Sequence, residues 1–107
     1  MLKVEYGDIF LTRGDSASFS VRVTQPDGAE YRLEPGDAMV FTVKRSTDDA
    51  RHVIQKDGPL FSIDPEDTNG LDYGEYQYDV QLTRARGNRV STVLGPHRFC
   101  VMEEVSF

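Results

Sequence analysis

Apolar side chains recur at every second residue along stretch after stretch of this chain, and nowhere keep the three-to-four spacing of a buried helix face. Successive side chains of an extended strand point to opposite sides of its sheet, so such alternation buries one face and wets the other. Ala17, Phe19, Val21 and Val23 alternate with Ser18, Ser20, Arg22 and Thr24. Ile9 and Leu11 do the same, as do Met39, Phe41 and Val43, then Tyr76, Tyr78, Val80 and Leu82, and then Val90, Thr92 and Leu94. The class expected is all-β.

Turn chemistry punctuates these runs. Arg13-Gly14-Asp15 ends the first, and Gln25-Pro26-Asp27-Gly28 predicts a hairpin into Glu30–Leu33, proline presetting one dihedral and Asp-Gly tolerating positive φ. Glu34-Pro35-Gly36-Asp37 breaks the chain again. Ala50–Lys56 reads as a short edge strand, and Leu60–Ile63 as another after Asp57-Gly58-Pro59. One helical turn fits the sequence: Asp64 can cap it, Pro65 suits the first position, Glu66 and Asp67 complement the dipole, and Gly70 closes it. Arg84–Asn88 reads as a loop with Gly87-Asn88 in left-handed geometry. Gly95-Pro96 predicts a bulge or sheet switch at an edge before Phe99 and Val101. The expectation is one antiparallel domain over residues 1–107, with seven to nine short strands and no helix beyond a single turn.

A chain of 107 residues buries about two thirds of the surface its unfolded form exposes, enough for one core. Its net charge of −6 disfavours nucleic acid and anionic membranes, which call for a basic surface. No apolar run approaches the roughly 20 residues that span a bilayer, and Glu5 and Asp8 stand where a signal peptide would be apolar. Synthesis in the cytoplasm without a signal peptide is the expectation. Cys100 is the only cysteine, so no internal disulfide can form and packing alone must hold the core.

Catalysis needs titratable groups that converge, and the chain offers two histidines, one cysteine and scattered carboxylates. His97 and Cys100 lie an odd step apart, so a regular strand points them to opposite faces and prevents a nucleophile–base pair. The acidic stretch from Asp64 to Asp72 invites a calcium reading, but the register fails. With Gly70 at the glycine position of an EF-hand loop, Pro65 falls on the first ligand and Tyr76 on the bidentate glutamate. Arg13-Gly14-Asp15 is an adhesion tripeptide by letter and an ordinary turn by position. The reading is a non-enzyme without metal or cofactor.

Charge is unevenly distributed. Acids occupy positions 57, 64, 66, 67, 72, 75 and 79 with no Lys or Arg among them, whereas Arg84, Arg86, Arg89 and Arg98 follow with no acid. If the strand between spans the domain, about 25 Å separates an acidic end (Asp64, Glu66, Asp67, Asp72) from a basic end (Arg84, Arg86, Arg89). Solvated loops of no consequence give such a pattern too. Its functional reading is protein contact between ends, with copies or neighbours oriented by charge and a homo-oligomer as one outcome.

Leu71-Asp72-Tyr73-Gly74-Glu75-Tyr76-Gln77-Tyr78 resembles the corner that introduces strand F of immunoglobulin-like sandwiches. Asp72, Gly74 and Tyr76 match the pattern Asp-x-Gly-x-Tyr-x-Cys, and Tyr78 stands where the inter-sheet cysteine would be. The segments Arg13–Phe19, Val40–Lys44, Asp64–Thr68, Gly74–Leu82 and Thr92–Val101 before Glu104-Val105 together resemble the small immunoglobulin-like domains encoded among bacteriophage and prophage tail and baseplate genes. Gly95-Pro96 and Cys100 depart from that pattern. The resemblance implies an immunoglobulin-like antiparallel sandwich, a structural role in tail or baseplate assembly or in supporting a receptor-binding component, and incorporation in a virion. It brings no catalytic residues. The alternative is a binding module for a cell-surface protein or carbohydrate, using loops at one sandwich end. The absence of an aromatic cluster in those loops speaks against it.

Overall fold

The computed structural model describes residues 2–86 and 89–103, so the Gly87-Asn88 expectation and the Glu104-Val105 ending lie outside the described residues. The elements are β1 (Leu2–Glu5), β2 (Asp8–Thr12), β3 (Ala17–Ser20), β4 (Val23–Thr24), β5 (Glu30–Tyr31), β6 (Ala38–Lys44), β7 (His52–Asp57), β8 (Leu60–Ile63), α1 (Pro65–Asn69), β9 (Gly74–Arg84) and β10 (Arg89–Met102). The chain is mostly β, with one five-residue helix among the described residues.

Three sheets form. A six-stranded sheet has the order β1-β2-β10-β9-β6-β7, β3 pairs with β8, and β4 pairs with β5. Ten strands are described rather than seven to nine, and β9 and β10, at 11 and 14 residues, are not short. The expectation of wholly antiparallel pairing is also corrected, because β2 runs parallel to β10 with Ile9 opposite Phe99 and Leu11 opposite Val101. The chain traverses the small sheet and β6–β9 between these two strands, so no tight turn forces them antiparallel.

The alternation is realised as burial except at the start of β10, where Val90 and Thr92 are exposed and the register shifts on both sides of Leu94 break the alternation. Met39, Phe41 and Val43 on β6 and Tyr76, Tyr78, Val80 and Leu82 on β9 are all buried, as are Ile9, Leu11, Phe99 and Val101. Phe19 and Phe61 from the small sheet meet Phe41 of the large one at ring-centroid distances of 5.2 and 5.8 Å. Phe41 also lies 6.1 Å from Phe99 and 5.4 Å from Tyr78, so one aromatic cluster joins the two sheets. Such offset and edge contacts are the favoured geometry of aromatic pairs.

The Ala17–Thr24 run is interrupted at Val21-Arg22, where the Val21 N–H turns aside to the Pro59 carbonyl, and the strand resumes in the hairpin with β5. β7 is an edge strand, as the sequence suggests. β10 shifts register on both sides of Leu94, so the Gly95-Pro96 break is a bulge beside β9.

Candidate functional site

Asp72, Gly74 and Tyr76 come together where α1 leads into β9, and Tyr78 lies beyond them along the strand. The Tyr76 hydroxyl donates to the Asp72 carbonyl at 2.9 Å while its ring, 3 % exposed, fills the core. Gly74 has φ 134, a conformation costly to residues with a Cβ, which makes glycine the economical choice between carbonyl and ring. The Arg45 guanidinium lies 5.7 Å from the Tyr76 ring centroid, and Arg13 covers the Tyr73 ring at 4.2 Å. Tyr78, two residues on and buried on the same face, reaches across β10 and donates its hydroxyl to the Gly7 carbonyl. Burial, with the Asp8 charge a smaller cause, pushes the Tyr78 phenol up to about 12.

The acidic residues sit on or near α1. The Asp67 carboxylate accepts from the Asp64 N–H at 2.7 Å, and the buried Thr68 hydroxyl accepts from the Gly14 N–H at 2.9 Å, which fixes the helix against the β2–β3 turn. The structure also supplies cations that the local sequence lacks. Lys56, from edge strand β7, approaches Asp67 to 2.8 Å and Asp64 to 3.8 Å, and its ammonium is held above the usual lysine range chiefly by the Asp67 contact. Asp72 meets Arg45 at 4.0 Å with its side chain 89 % exposed, a pairing that contributes little. Glu66 is exposed. The acidic end is therefore partly neutralised, and Glu66 and Asp72 are its most accessible charges.

At the far end of β9, Arg84 stacks 4.3 Å above the Tyr31 ring, and Arg86 and Arg89 are exposed. Asp37 organises this end by accepting from the Tyr31 hydroxyl and from the Glu34 and Ala85 N–H groups at 3.0 Å each. Those donors, the tyrosine hydroxyl first, hold the Asp37 carboxyl below its ordinary range. An 11-residue strand separates the two ends, roughly 35 Å rather than the 25 Å expected, within a molecule 46 Å long. Arg98 belongs to neither end. Its guanidinium holds Asp8 at 2.9 and 3.0 Å and approaches Glu75 at 3.6 Å, tying β2, β10 and β9 together.

His97 lies near the Tyr78 ring at 6.0 Å, and Cys100, an odd step away, is buried with its thiol pushed up by that burial. Among the described residues no group of three or more His, Cys, Asp or Glu gathers as a metal would require. No helix among them is long and apolar enough to cross a membrane. Sequence reasoning missed Lys56, Arg45 and Asp37, whose partners lie on other elements. The chain matches no protein-family model, no curated protein and no solved structure with which it was compared.

Proposed function

We propose that this chain is a non-catalytic assembly module with an immunoglobulin-like sandwich fold, contacting copies of itself or neighbouring proteins end to end. The observation that carries the fold is the bond from the Tyr76 hydroxyl to the Asp72 carbonyl, since a tyrosine bonding backbone a few residues upstream marks the start of strand F in such sandwiches. The strand order supports it. β10, β9, β6 and β7 follow one another as strands G, F, C and C′ do in variable-type domains, and β3 with β8 corresponds to B with E. The aromatic cluster of Phe41, Phe61 and Phe99 takes the place of the missing disulfide.

The setting, a phage or prophage tail or baseplate assembled in the host cytoplasm and carried in the virion, rests on the resemblance of the corner and its flanking strands. A shared sandwich does not by itself bring a function. The end-to-end contact is supported by the exposed Arg86 and Arg89 at one end of β9 and the exposed Glu66 and Asp72 at the other. Opposite charges there set orientation more than affinity. Replacing Arg84, Arg86 and Arg89 together by glutamate should weaken self-association about tenfold or more in sedimentation velocity, with the circular dichroism spectrum unchanged. Unaltered association of a folded triple variant contradicts the end-to-end contact.

A further inference from the structure

The outer face of the six-stranded sheet carries a groove that none of the contacts above uses. Strand register sets its floor: Thr42 on β6 lies between Gln55 on β7 and Asp79 on β9, and Lys44 lies opposite Gln77. These residues alternate with the inward Phe41, Val43, Tyr78 and Val80, so they belong to the sheet's other side. The β6–β7 connection forms one wall and the β10 bulge the other, with Pro96 at its rim. About 370 Å³ lies between them, within the range of small-molecule sites. The bulge presses close: a Cβ on Gly95, whose φ is 91, would stand 2.7 Å from the Tyr78 carbonyl oxygen and 3.1 Å from the Asp79 Cα.

Asp79 is the feature that asks for an explanation. It is half-buried beneath the bulge, and among the described residues no donor reaches its carboxylate within hydrogen-bonding distance. Desolvation pushes its carboxyl above the ordinary range, and the Lys44 charge works against that shift. A carboxylate that loses part of its water without gaining a donor costs stability, and the Lys44 charge returns only part of that cost. A donor from outside would return the rest. The charges flanking the groove select the kind of donor, since Lys44 disfavours a cation and Asp79 an anion. What remains is a neutral molecule rich in hydroxyls. Amide and hydroxyl groups that both donate and accept, as on Gln55, Gln77 and Thr42, complement such a ligand, and Gln55 already bonds Thr42 at 3.3 Å.

We propose that this groove binds a neutral polyhydroxylated ligand, a mono- or disaccharide unit, with Asp79 accepting from vicinal hydroxyls and Gln77, Gln55 and Thr42 completing the set. The proposal does not depend on the assembly reading. Tyr78 keeps its ring in the core and cannot stack on the sugar, so single-site affinity is weak.

The test is an amide chemical-shift titration of the full chain with methyl α-glucoside, methyl β-galactoside and N-acetylglucosamine, with ethylene glycol as the control. At least one sugar should give saturable shifts confined to β6, β7, β9 and the bulge, with an apparent Kd of about 1–10 mM. Asp79→Asn should weaken that binding about tenfold while melting no lower than the parent, because it removes an unpaired charge. Thr42→Val supplies a second, independent loss. Shifts that do not saturate by about 100 mM with any of the three sugars, that match the ethylene glycol pattern, or that persist in both variants would overturn the proposal.

Discussion

The Tyr76 hydroxyl donates to the Asp72 carbonyl while its ring lies in the core, so one side chain ties the connection after α1 to the first turn of packing in β9. Tyr76→Phe keeps the ring and removes the donor. It should lower the unfolding free energy by about 1–2 kcal/mol in urea, the cost of leaving a carbonyl without its partner; no change would mean the bond is idle. The corner that holds this contact was legible in the sequence because Asp72, Gly74 and Tyr76 lie within five residues and match a known pattern. The Tyr78 contact was not, since its acceptor, Gly7, lies 71 residues away and no local pattern encodes that distance. The turn holding Gly7 was obscure for a related reason. Tyr6 and Gly7 both have positive φ, at 50° and 86°, and close the β1–β2 hairpin, but tyrosine stands where asparagine or aspartate usually announces such a turn.

Period-two alternation locates strands and their buried faces, and it says nothing about which strand lies beside which or in what direction. The core faces of β6 and β9 were therefore readable residue by residue, while the parallel seam between β2 and β10 was not. That seam is tied on one side by Arg98 gripping Asp8 and on the other by Tyr78 reaching the β1–β2 turn. The phenol at about 12, against an unfolded value near 10, fixes the sign of its alkaline effect. Its contribution is complete below pH 10 and is lost as pH rises from about 10 through 12. Tyr78→Phe should shrink the alkaline limb of the stability curve, leaving the smaller part due to groups such as Cys100 and Lys56, and lower amide protection in β1 and β2 more than in β6. An alkaline limb of equal size in the variant would show that other groups cause it.

Across the whole molecule, Phe19 and Phe61 on the small sheet close over Phe41 on the large one, and no disulfide assists them. The charge asymmetry belongs to this scale as well. In the sequence its ends were bare, and in the fold Lys56 and Arg45 reach the acids while Asp37 sits among the arginines. Those neutralising partners come from other strands, which is why a linear reading overstated the contrast. What survives is Glu66 and Asp72 exposed at one end of β9 and Arg86 and Arg89 at the other. Attraction between such exposed charges fades over about 8 Å at physiological salt and faster above it. Solution mass by light scattering, in reducing buffer and over a series of salt concentrations, tests the assembly claim most directly. The account predicts a defined multiple of the chain mass at low salt that falls toward the monomer as salt rises, and a monomer at every salt concentration would contradict end-to-end contact between copies and leave only docking to a neighbouring protein.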